Sequence, residues 1–406
     1  MNRRQLLLGT GLVAGSLAVT GSSASASGWE AVRSQFRTDP KLINFAHFYL
    51  ASHPRPVRAR IEYLSRSLDE NSFEAVHGTR TDEVADSIAG YIGGKGGDIA
   101  FVPNTTTGLG IVFAGLRLRA GQEIVVHEQD HYSMRQSAQL AADRAGAQLR
   151  TVSMFADSAK TTVDEMAARL RSDITPRTRA VGVTWVQSST GVRTPLRELA
   201  AVVAEANRGR AEQDRCLLVV DGVHGLAAVN DDPALTGVDV FVAGTHKWLF
   251  GPRGTGIIWV KPDAIQHFVP TVPSFDPRTP TSNLGPGGFV AYEHLFALPE
   301  AVNFHQRLGR GQVTARITEL QTQVKDGLAK IPGVTMRTPA DPAVSAGVAC
   351  FDFDRLPPDE VVKRLGAKGI QITVAPYATQ HLRIGTSILN TPEEIGKVLR
   401  ALADLR

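Results

Sequence analysis

Two stretches decide the reading of this chain. Cys216-Leu217-Leu218-Val219-Val220 runs into Asp221-Gly222-Val223-His224, and Val240-Phe241-Val242-Ala243 runs into Gly244-Thr245-His246-Lys247-Trp248. Both apolar runs lack polar alternation, the pattern of parallel strands covered on both faces. Open α/β sheets bind ligands beyond the carboxyl ends of their strands. Asp221 and Lys247 each follow such a run, which puts a carboxylate and an amine on the ligand-binding edge. A strand-end carboxylate can face water, bind a metal or stabilise a protonated heterocycle nitrogen. An amine just past a buried strand can be desolvated, which lowers its pKa and makes it nucleophilic.

Upstream, strands are expected at Ile99–Val102, Glu123–Val126, Arg150–Val152 and Ala180–Trp185. They alternate with helices at Thr106–Leu116, Ser133–Ala145, Val163–Leu170 and Pro195–Asn207. Strand–helix alternation argues for an open α/β sheet between helices. The Pro-, Gly-, Ser- and Thr-rich stretch Pro270–Gly288 reads as a long loop and a boundary. Beyond it, a helix over Gln312–Leu328 precedes short strands at Val334–Met336, Ala349–Phe353 and Ile370–Val374. These alternate with helices at Asp359–Leu365 and Glu393–Leu402, a smaller α+β domain. The expected division is residues 1–26 as an export signal, 27–60 as an N-terminal arm, 61–290 as a large ligand-binding domain and 291–406 as a small C-terminal domain.

Composition sets the outer limits. The chain has 406 residues, 43% hydrophobic and 21% charged, enough for a sizeable core and unlike a disordered chain or coiled coil. A net charge of +4 is too small for a nucleic-acid-binding signature. Two cysteines, Cys216 and Cys350, make no disulfide framework, and both sit in apolar strand patterns. Arg3-Arg4, the apolar run Leu6–Val19 and the small residues Ala24-Ser25-Ala26 form the three-part pattern of an export signal. The arginine pair resembles a twin-arginine signal, although Leu8 stands where that signal often has Lys. The run is short and Gly-rich, so no stable membrane span is expected after processing, and the expected location is periplasmic or secreted.

A third strand end bears on ligand chemistry. Asn104-Thr105-Thr106-Thr107-Gly108 leads into a helix, where hydroxyls and free N–H groups make an anion site. By contrast, His127-Glu128-Gln129-Asp130-His131 matches a zinc-protease string in letters only. That chemistry needs both imidazoles on one helical face, and here the string continues a strand, so no metal site is expected.

At this point the sequence resembles a known family. Ser188-Ser189-Thr190-Gly191, Asp221-Gly222-Val223-His224 and His246-Lys247-Trp248 resemble the class V aminotransferases, fold-type I enzymes that use pyridoxal 5'-phosphate (PLP). The resemblance spans Asn44 to Leu402 and is nearest the isopenicillin N epimerase-like branch. It implies that Lys247 forms the internal aldimine with PLP and that Asp221 pairs with the pyridinium nitrogen. His224 is implied beside the ring hydroxyl, His131 stacked on the ring and Ser188 near it. Thr105, Thr106 and His246 are implied in the phosphate cradle. Gly244 replaces a Ser of some relatives, so Thr245 is expected to supply that hydroxyl. Arg383, in His381-Leu382-Arg383-Ile384-Gly385, is implied to grip the substrate α-carboxylate, and His47 is placed in the segment lining the substrate entrance. Cysteine desulfurases carry a nucleophilic Cys shortly before that Arg, whereas Thr373–Leu382 contains none. The family also builds its site across a dimer interface, so a homodimer is expected.

The fold expected is therefore α/β, with a mainly parallel, seven-stranded-type sheet and a smaller C-terminal domain. The expected function is an exported PLP enzyme acting at Cα of an amino acid or peptide-borne amino acid, by transamination, epimerisation, elimination or oxidative decarboxylation. The leader also resembles those of periplasmic enzymes that tailor the glutamate of pyoverdine siderophores. A non-catalytic binding protein that kept the fold is the alternative from another class, and the paired Lys247 and Asp221 argue against it.

Overall fold

The computed structural model describes residues 26–275 and 278–405. Of the expected export signal at residues 1–26, residues 1–25 lie outside the described residues. The chain opens with α1 (Ala26–Arg33), the short strand β1 (Ile43–Asn44), α2 (Arg55–His77) and α3 (Thr81–Tyr91). A βα alternation follows: β2 (Ile99–Val102), α4 (Thr105–Gly115), β3 (Glu123–His127), α5 (Tyr132–Ala145), β4 (Gln148–Val152), α6 (Val163–Asp173), β5 (Thr178–Thr184), α7 (Leu196–Ala206), β6 (Leu217–Asp221), β7 (Val240–Gly244) and β8 (Gly256–Val260).

These strands form one seven-stranded sheet in the order β2-β8-β7-β6-β5-β3-β4. β8 runs against both neighbours, and the other pairings are parallel. β5, β6 and β7 are buried at every position, which is why their sequences do not alternate. The α/β architecture is as expected. β8 is an addition to the strands read from sequence. It starts at Gly256, just after the Gly251-Pro252-Arg253-Gly254 turn, and its apolar Ile257-Ile258-Trp259-Val260 run is as strand-like as those of its neighbours.

The helices α8 (Tyr292–Leu295), α9 (Leu298–Leu308) and α10 (Arg310–Leu328) lead into the C-terminal part. There β9 (Val334–Met336), β10 (Val348–Phe353), α11 (Pro358–Gly366), β11 (Ile370–Gln371), β12 (Thr373–Val374), β13 (Leu382–Gly385) and α12 (Pro392–Ala403) follow. Their four-stranded sheet, β12-β13-β10-β9, is antiparallel. Phe351, Leu382 and Ile384 pack in one cluster with Leu320, Val324 and Val398 of the covering helices. The expected single strand over Ile370–Val374 is split. β11 pairs in parallel with β1 and so ties the N-terminal arm to this domain, while β12 joins β13. The buried Ile372 marks the break.

The loop after β6 is packed against the sheet without slack. A Cβ on Gly222 would lie 2.0 Å from the Phe241 ring, and one on Gly225 2.2 Å from Trp185. Gly222→Ala is therefore expected to overpack this edge and cost about 1–3 kcal/mol, read as a lower midpoint in thermal unfolding.

Candidate active site

The carboxyl ends of β2, β3, β5, β6 and β7 surround a cavity of about 330 Å³, within the range of small-molecule sites. Lys247, Asp221, His224, His131, Thr105, Thr106, His246 and Ser188 all line it. Eight side chains scattered over nearly 150 residues of sequence thus meet at one sheet edge.

Asp221 is the last residue of β6 and only 2% exposed. One of its carboxylate oxygens accepts the Val223 N–H at 3.1 Å. Burial pushes its pKa up, and the bond from Val223 and the charge of Lys247 pull it back. Lys247 sits on the turn after β7, where Phe250 N–H donates to the Lys247 carbonyl at 3.1 Å and Phe250 takes a left-handed φ of 58°. Burial lowers the pKa of its ammonium, Asp221 opposes that shift and Arg383 adds to it. The Lys247 Nζ lies 2.8 Å from His224 Nε2. Burial, then the charge of Lys247, holds His224 well below the ordinary imidazole range, so His224 accepts from Lys247. His131 caps α5: its Nδ1 accepts the Ser133 N–H at 3.2 Å and meets the Ser133 hydroxyl at 2.7 Å.

At the other end of the cavity, α4 points its N-terminus inward. Asn104 accepts the Thr107 N–H at 2.9 Å, which leaves the earlier N–H groups of α4 for an anion. Thr105 Oγ1 accepts the Gly244 N–H at 2.8 Å and so keeps its own proton to donate. A Cβ on Gly244 would fall 2.8 Å from the His246 ring, so no room remains there for a larger residue.

Two expectations are corrected. Thr245 does not face the cavity. It is fully buried, and its hydroxyl pairs with Thr255 Oγ1 at 2.5 Å, so it closes the Lys247 loop instead of binding a ligand. His47 does not line the cavity either; it borders a separate space of about 140 Å³ with Arg33, Arg37 and Asn390. A turn, in which Tyr49 N–H donates to the Ala46 carbonyl at 2.9 Å, sends Tyr49 and Leu50 to the entrance instead. Arg383 stands just behind the wall. It donates to Thr373 Oγ1 at 3.0 Å, the Ser188 carbonyl at 3.3 Å and the Val374 carbonyl at 3.0 Å, and lies 5.0 Å over the Phe48 ring. A guanidinium has five N–H donors, so two remain for a carboxylate.

Sequence reasoning missed Asp130 and Thr184. Asp130 is fully buried and accepts the backbone N–H of His127 and of Thr184, each at 2.8 Å. It thereby fixes the turn that presents His131. The metal-like string is thus a structural corner: His127 ends β3, and its Nδ1 accepts the Gln129 N–H at 2.8 Å. Burial holds His127 down to about 3. Tyr49, Leu50, Asn104, Ser133 and Val223 complete the lining. Only Asn104, as a helix cap after a strand, carried a sequence signal.

The geometry suits a ligand with an anionic end and a basic heterocycle. His224 Nδ1 is a buried polar atom on the cavity wall with no partner among the described residues, as expected if a ligand completes it. A phosphate fits the α4 end, a pyridine nitrogen fits Asp221, and an aldehyde fits Lys247.

The fold and this site define a class V aminotransferase-type enzyme, a PLP-dependent class. The chain belongs to the aminotransferase class-V family, whose sequence profile matches residues 63–398. It is 28% identical over 412 residues to the isopenicillin N epimerase of Streptomyces clavuligerus, covering 92% of this chain and 97% of that protein. The epimerase of Amycolatopsis lactamdurans is also 28% identical, with 94% and 99% covered. A probable cysteine desulfurase of Xylella fastidiosa (strain 9a5c) is 25% identical, with 93% and 95% covered. Among solved structures, C-DES with glycine covalently linked to its PLP cofactor has a TM-score of 0.82 at 23% identity, covering 92% of this chain and 99% of that one.

Two outcomes follow from the site. Thr105→Val leaves the buried Gly244 N–H unpaired and is expected to cost about 1–3 kcal/mol in unfolding and to weaken cofactor retention on dialysis. Because burial lowers the Lys247 pKa, its neutral amine appears at lower pH than in a free lysine. The rate at which apoprotein captures PLP should rise with pH and level off below the ordinary lysine range, followed by absorbance.

Proposed function

We propose that the protein uses PLP to break a bond at Cα of an amino acid, free or carried in a peptide. The observation that carries this reading is the convergence of Lys247, Asp221 and the α4 N-terminus on one cavity. The α4 N–H groups, Thr105, Thr106 and His246 would hold the phosphate, and Asp221 would hold a proton on the ring nitrogen. PLP, when bound, supplies an electron sink for the carbon that loses a bond. Arg383 offers its two remaining N–H groups to the substrate carboxylate, a charge-assisted fork. Lys247 Nζ would remove the proton at Cα and afterwards give it up, to Cα in an epimerisation, and His224 accepts a hydrogen bond from the same amine. His131 shields one face of the site.

The reaction within the class is narrowed by the chain's own residues. Both cysteines are fully buried, and burial pushes each thiol up to about 12. Neither supplies the exposed thiolate that persulfide formation requires. Removal of the Cα proton by Lys247 suits the residues present, followed by its return to Cα, as in epimerisation, or its delivery to another carbon, as in transamination.

The same proposal includes export and pairing. Arg3-Arg4 and the apolar run that follows support delivery to the periplasm or exterior. The combination of such a leader with this family resembles the periplasmic enzymes that tailor the glutamate of pyoverdine siderophores, which makes a peptide-borne glutamate one candidate substrate. Exposed Phe73, Phe275 and Phe289 support a homodimer to the extent that they join in one apolar patch, since contiguous exposed patches mark interaction surfaces. The last two border a cavity of about 910 Å³ between α2, β2 and the loop before α8.

Holoenzyme mixed with free amino acids and peptidic siderophore precursors should change the cofactor absorbance only with true ligands, and mass spectrometry of the products names the reaction. Lys247→Ala should lower kcat by about 10²–10⁴-fold or more. Purified protein that carries no PLP and takes none up overturns the proposal.

A further inference from the structure

The cavity has one neighbour that neither the fold nor the cofactor chemistry explains. Tyr377 lies on the connection between β12 and β13, the same hairpin that carries Arg383. Thr373 pairs with Arg383 and Val374 with Leu382, and Ala375 N–H donates to the His381 carbonyl at 2.8 Å. The hairpin therefore holds Tyr377 and Arg383 in a fixed relation. Both reach the same residue of the large domain. The Tyr377 hydroxyl lies 2.6 Å from Ser188 Oγ, and Arg383 NH1 donates to the Ser188 carbonyl at 3.3 Å. Ser188 lines the cavity, and so does His131, whose ring meets that of Tyr377 edge-on at 6.2 Å. A phenol and a guanidinium thus arrive together, one hydrogen bond behind the wall.

We propose that Tyr377 is a specificity-determining residue whose hydroxyl gives the substrate α-carboxylate a second donor beside Arg383. The inference rests on the PLP reading above. In the structure, Ser188 and Tyr377 share one hydrogen bond. With a carboxylate on Arg383, the Tyr377 O–H turns to the anion and Ser188 Oγ donates to the phenol oxygen. Every hydroxyl then keeps a partner, and no proton is transferred. Burial pushes the phenol up to about 12, so it remains a donor across the working range. Three of the Arg383 donors are spent on Thr373, Ser188 and Val374, and the remaining two leave part of the carboxylate's acceptor capacity for the phenol. The pair selects substrates with a free carboxylate next to the amine and discriminates against simple amines.

The test uses holoenzyme and two reagents that attack bound PLP through the same aminooxy group. Aminooxyacetate carries a carboxylate, and O-methylhydroxylamine does not. Their reaction rates are followed by cofactor absorbance. The wild-type protein should prefer aminooxyacetate, and Tyr377→Phe should shrink that preference about tenfold or more while O-methylhydroxylamine reacts as before. A merely structural role would slow both reagents alike, and that result overturns the proposal, as does an unchanged preference. If Arg383→Lys collapses the preference and Tyr377→Phe does not, the site reading stands and the role of Tyr377 falls. If neither reagent changes the absorbance of the wild-type protein, the PLP reading itself fails.

Discussion

A lysine amine and an aspartate carboxylate share the floor of one cavity, and each disfavours its charged form because the sheet edge excludes water. Burial lowers the Lys247 pKa and raises that of Asp221, while their mutual attraction opposes both shifts. An electrostatic balance of this kind is stable only if the surrounding backbone cannot relax. The loop after β6 has no spare volume at Gly222 and Gly225, and the loop after β7 is closed by Thr245, Pro252 and Thr255. Rigid packing is thus what allows a reactive amine to persist beside a carboxylate without collapsing into a plain ion pair.

The site is divided between two folding units. The cavity-lining groups come from strand ends of the parallel sheet, whereas Arg383, to which our proposal gives the substrate carboxylate, comes from a hairpin of the antiparallel one. Ser188 is the junction, because its side chain meets Tyr377 and its carbonyl meets Arg383. The N-terminal arm adds a third element. β1 pairs with β11, and the chain then crosses to the entrance, where the Ala51 N–H donates to the His246 carbonyl at 3.1 Å. On the proposed reading, substrate recognition would depend on the relative placement of both sheets, whereas cofactor binding would depend chiefly on one.

Misleading letters in this sequence have physical explanations. The His127–His131 string has metal-site spacing, yet its first imidazole ends a strand and its second caps a helix. Asp130 between them takes two backbone N–H groups. Thr245 and His47 are polar residues one and two positions from residues that line the cavity, His246 and Tyr49, but neither lines it. Thr245 lies in a tight turn, where its hydroxyl is needed by the turn, and His47 is buried against a separate space beside Arg33 and Asn390. Adjacency in sequence does not fix direction once the backbone leaves regular structure.

Sequence alone determined the α/β class, the sheet edge and the groups that follow β2, β6 and β7. Parallel strands buried on both faces leave an unmistakable apolar run, and whatever polar residue ends the run must lie at the edge. What only the tertiary structure decided is which of those residues share a cavity and which face the protein: that Tyr49 rather than His47 lines the cavity, that β8 inserts antiparallel between β2 and β7, and that Tyr377 and Arg383 meet at Ser188. Those contacts join residues far apart in the chain, and side-chain direction in turns depends on backbone dihedrals that no residue sets by itself.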